Sequence, residues 1–98
     1  VPYINEEGRK FLDPKLDEIY THTPGELNYV VTSLVDAYIN SHVEDPNYAR
    51  YNEAIGVLEC AKLELYRRLV APYEDKKILE NGDVFRYTVD TKERNEPQ

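Results

Sequence analysis

Ninety-eight residues of 11.5 kDa, 41% apolar and 32% charged, suit one small domain with enough apolar content for a core. Nineteen acids against twelve bases leave a net charge of −7 and a pI near 4.8. That argues against a general nucleic-acid binder, whose affinity rests on Lys and Arg neutralising phosphates. No apolar run approaches the roughly 20 residues that span a bilayer. No basic-then-apolar signal segment opens the chain. The single cysteine, Cys60, excludes an internal disulfide and any cysteine-built zinc site, and fits a reducing compartment.

In chain order, Asn5-Glu6-Glu7 can open a first turn carrying Phe11 and Leu12. Three dipeptides then set a capping residue before a proline: Asp13-Pro14, Thr23-Pro24 and Asp45-Pro46. Asp or Thr accepts from the unpaired amides of a first helical turn, and proline suits the first helical position because it has no amide to leave unpaired. The signals predict a short helix over 14–21 with Leu16 and Ile19 inward. They predict a second over 24–42, where Thr23 and Glu26 form a capping box. Leu27, Val30, Val31, Leu34 and Val35 recur on that helix with a helical period.

A long helix over 46–70 carries Ile55, Leu58, Ala61, Leu65 and Leu69, and forms the spine. The short link at 43–45 permits 24–42 to pack antiparallel on it. These apolar residues, with Leu16 and Ile19, are the expected core. Pro72 should break the helix, because Ala71 precedes a proline and is disfavoured in the helical region. A last helix over 73–81 should end at Asn81-Gly82. The fold expected is all-α, a small bundle of three to four helices on a long central helix. Residues 1–83 form its helical domain and 84–98 a polar, extended tail, in which 84–89 alternate as a strand would.

Charge is uneven. Residues 24–45 hold four acids and no base, whereas 46–71 is the one net-positive segment, at +1. Its Arg67-Arg68 pair either complements the end of the helix dipole or faces an anion. Catalytic groups are sparse. His22 and His42 sit beside helix ends, and Cys60 has no basic neighbour one turn away and reads as a small core thiol. No glycine-rich phosphate loop and no metal-ligand spacing occur. Glu59 and Lys62 form an ordinary helical pair. Tyrosine is the overused residue, nine in the chain, and suits either the rim of a small core or an interface.

The stretches Gly25–Tyr29 (GELNY) with Thr32, Gly56–Arg68 (GVLECAKLELYRR), Ala71–Lys77 (APYEDKK) and Asn81–Val84 (NGDV) resemble a family of small proteins of bacteriophages and prophage-bearing bacteria. Pro2-Tyr3-Ile4 fits the same pattern, so the resemblance covers about residues 2–85. The resemblance implies no activity and assigns no residue a role. It implies a small protein of the host-cell cytoplasm, or one carried in the virion.

These observations favour binding over chemistry: an accessory protein that binds a host or phage protein, without catalysis, cofactor, metal, nucleic acid or membrane. One alternative is an oligomeric sponge for a small anionic nucleotide, with arginines on phosphate and tyrosines on the base. A virion structural component is the other. The spine's surplus apolar surface points to a homo-oligomer. The binding residues expected are Arg67, Arg68, Tyr73, Glu74, Asp75, Lys76, Lys77, Asn81 and Asp83. They crowd charge into a stretch where Pro72 and Gly82 already supply the helix punctuation.

Overall fold

The computed structural model describes residues 3–41 and 45–87. The protein is all-α: α1 (Glu6–Leu16), α2 (Pro24–Asn40), α3 (Tyr48–Leu65), a π-helical turn (Tyr66–Val70) and α4 (Ala71–Asn81). No strand occurs among the described residues, and Val84–Tyr87 are irregular; the remainder of the strand-like stretch, and His42, lie outside them. The chain divides into two units, Val1–Pro46 and Asn47–Gln98.

In the first unit, α1 begins at Glu6 and not at Pro14. The Asn5 side chain accepts from the Gly8 amide at 2.8 Å, and Glu6 and Glu7 favour the positive end of the helix dipole. Ile4 folds back so closely that a Cβ on Gly8 would lie 2.9 Å from its Cγ1, so a larger residue there would have to displace the Ile4 side chain. Pro14 falls in the last turn, where its missing amide costs one bond, and a helix capped at Asn5 therefore runs through it. The 14–21 helix is thus replaced by one that ends at Leu16. α2 follows its sequence signal. Thr23 Oγ1 accepts from the Glu26 amide at 3.1 Å, while Glu26 Oε1 accepts from the Thr23 amide at 3.3 Å and the His22 amide at 2.7 Å.

In the second unit, the cap of α3 is Asn47 rather than Asp45. The Asn47 side chain accepts from the Arg50 amide at 3.0 Å, and the helix starts at Tyr48. Asn is as good a cap as Asp, and its place after Pro46 leaves the first-turn amides within its reach.

The break expected at Pro72 is absent. Val70 (φ −79°, ψ −46°) and Ala71 (φ −61°, ψ −46°) are both helical, and the helix continues into α4. In a straight α-helix the Pro72 ring would press on the carbonyl of Arg68. Instead the preceding turn widens to the i→i+5 pattern, and the Ala71 amide donates to the Tyr66 carbonyl. The π turn absorbs the proline. Gly82, at φ +87°, ends α4 as expected, with its amide donating to the Ile78 carbonyl at 2.8 Å.

The expected core is not covered. Among the described residues only Ala54 is buried. Val30, Val35 and Leu58 are half-buried, while Leu16, Ile19, Leu27, Val31, Leu34, Ile55, Ala61, Leu65 and Leu69 are exposed. Periodicity places these residues along helix faces, but the face needs another surface to bury it. Cys60 is likewise exposed, not a core thiol.

Candidate functional site

The second unit builds one concave surface from a helix face and a returning segment. Gly82 turns the chain out of α4, and Asp83 Oδ1 accepts from the Phe85 amide at 3.0 Å, an Asx-type turn. Val84 and Phe85 thereby line, with Tyr66, Ala71 and Ile78, a groove of about 630 Å³. That volume lies in the range of ligand and side-chain pockets.

Five of the nine residues expected from sequence meet on this groove: Glu74, Asp75, Lys77, Asn81 and Asp83. The other four lie outside its lining. Arg67 and Arg68 both reach back to Glu64, at 3.6 Å and 3.3 Å, so the adjacent bases bracket one carboxylate. Lys76 is exposed, and the Tyr73 ring lies 5.5 Å beneath the Lys77 ammonium. Tyr66, Ile78, Val84 and Phe85 also line the groove and are not among the nine; the last three fall within residues 72–85, the segment expected to bind. Their sequence signal is the apolar residues on both sides of Asn81-Gly82, a pair that turns the chain back along its own helix.

The groove's polar groups are partly spoken for. The Tyr66 hydroxyl donates to Glu74 Oε2 at 3.1 Å. That hydrogen bond, and then the negative charge of Glu74, push the Tyr66 phenol above its ordinary 10.0; slight desolvation and Asp75 add to it. Lys77 Nζ sits 3.1 Å from Glu80 Oε2. What remains is an apolar floor under a rim in which carboxylates outnumber bases, suited to holding a ligand.

Elsewhere, His22 stacks on Tyr20 with ring centroids 6.4 Å apart, and Glu59 pairs with Lys62 at 3.0 Å. Among the described residues, no three His, Cys, Asp or Glu side chains group as a metal site would require. No helix among them is long and apolar enough to cross a membrane. No curated protein and no solved structure matches the chain. A family model described as a domain of unknown function (DUF6899) matches residues 1–84, and the chain belongs to that family.

Proposed function

We propose that the chain is a small accessory protein of the phage type that acts by binding another protein, without catalysis, through the groove of α4 and residues 82–85. The observation that carries this reading is the groove itself: Ile78, Val84 and Phe85 form an apolar floor beside the polar rim of Glu74, Asp75, Lys77, Asn81 and Asp83. An apolar centre with a polar rim is the anatomy of a protein interface. The exposed Leu65, Leu69 and Val70 support self-association as part of the same reading, since helices gain most of their stability from packing an apolar face. The nucleotide alternative loses ground because Arg67 and Arg68 both pair with Glu64, which offsets one of their two charges, and neither lines the groove.

Photo-crosslinking in cells tests the assignment. A benzophenone amino acid replacing Phe85 should give a discrete protein adduct that the same probe at the exposed Tyr20 does not give. Identical adducts at both positions, or none at Phe85, overturn it.

A further inference from the structure

We infer that the groove's partner is a basic segment: an apolar side chain seated on Ile78, Val84 and Phe85, flanked by Lys or Arg that meet Glu74 and Asp75. This rests on the protein-binding reading above and names the chemistry of the partner.

Charge complementarity carries it. Glu74, Asp75 and Asp83 line the groove against one base, Lys77, and that ammonium is already 3.1 Å from Glu80. Asp83 turns its Oδ1 to the Phe85 amide. Glu74 accepts one hydrogen bond, from Tyr66, and a carboxylate has room for several more. Asp75 takes part in no ion pair among the described residues. The helix adds to the same field. The groove runs the length of α4 to its last turn, which contains no basic residue to offset the negative end of the dipole beside Asn81 and Asp83. An incoming cation would meet carboxylates of one sign along the groove and a helix dipole of the same sign at its far end. An acidic segment would meet repulsion from all of them. The volume, about 630 Å³, suits one or two anchoring side chains rather than a broad flat contact.

The test is an unbiased selection. A display library of random dodecapeptides is panned against the full chain, with counter-selection on a Val84→Ser/Phe85→Ser variant, whose changes remove the apolar anchor without altering charge and fall outside the helices. Groove-dependent peptides should share an apolar residue flanked by Lys or Arg. Glu74→Gln/Asp75→Asn should weaken a selected peptide about tenfold, from the loss of two charge pairs. Glu6→Gln/Glu7→Gln, an equal charge change on α1, should leave its binding unchanged. Equal weakening by the two double variants would reduce the effect to net charge and overturn the inference. Groove-dependent peptides that are acidic or uncharged would also overturn it, while leaving the groove as a protein-binding site. Selection of no groove-dependent peptide would overturn both.

Discussion

Tyr66 and Glu74 are eight residues apart and face the same way, joined by a 3.1 Å hydrogen bond. An unbroken α-helix of 3.6 residues per turn would set residues at that spacing about 80° apart. One π turn of roughly 4.4 residues followed by one α turn of about 3.6 makes eight, so the second residue returns over the first. The widened turn that accommodates Pro72 is therefore also what brings Tyr66 into the groove with Glu74.

Tyr66 should titrate above 10.0 in the folded chain. Folding favours its protonated form, so the bond's contribution is complete below pH 10.0 and is lost as pH rises through the raised value. Carbon-13 NMR of the tyrosine Cζ, assigned with Tyr66→Phe, measures the midpoint. Glu74→Gln should bring it down towards the ordinary value. A midpoint indifferent to that change would place the cause elsewhere.

Pro72→Ala should stabilise the helix by about 1 kcal/mol or more, because it restores an amide donor and removes the ring that forces the turn open. The same change should straighten the register, swing Glu74 away and lower the Tyr66 midpoint. Thermal unfolding and the tyrosine titration should move together. A raised midpoint that survives in the alanine variant would show that the π turn does not depend on the proline.

The cap of α3 is open to a direct comparison. Asn47→Ala should cost about 1 kcal/mol, the usual value of an N-cap side chain, whereas Asp45→Ala should change stability by less than about 0.5 kcal/mol. Chemical denaturation monitored by helical circular dichroism reads both. A reversed order would restore Asp45 as the cap.

Arg67→Ala with Arg68→Ala should cost less than about 1 kcal/mol. Both arginines are largely exposed, at 75% and 56%, so solvent screens their pairs with Glu64. Molar salt should erase most of the difference. Affinity for a groove-bound peptide should be unchanged, since neither arginine lines the groove.

The sequence by itself determined the elements whose cause is local. α2 was readable from Thr23 and Glu26, because a capping box closes within three residues. The stop at Gly82 followed from a conformation with positive φ that glycine alone adopts without strain. The all-α character followed from apolar spacing. Where two local signals competed, as Asn5 with Asp13-Pro14 and Asn47 with Asp45-Pro46, only the folded backbone decided which cap was used. Only the folded structure could show which side chains share a face across the π turn. Helical periodicity assumes one constant twist, and a single wider turn changes the register of everything after it. The groove needed that change together with the return of Val84 and Phe85 alongside α4, a contact between segments that no window of helical spacing contains.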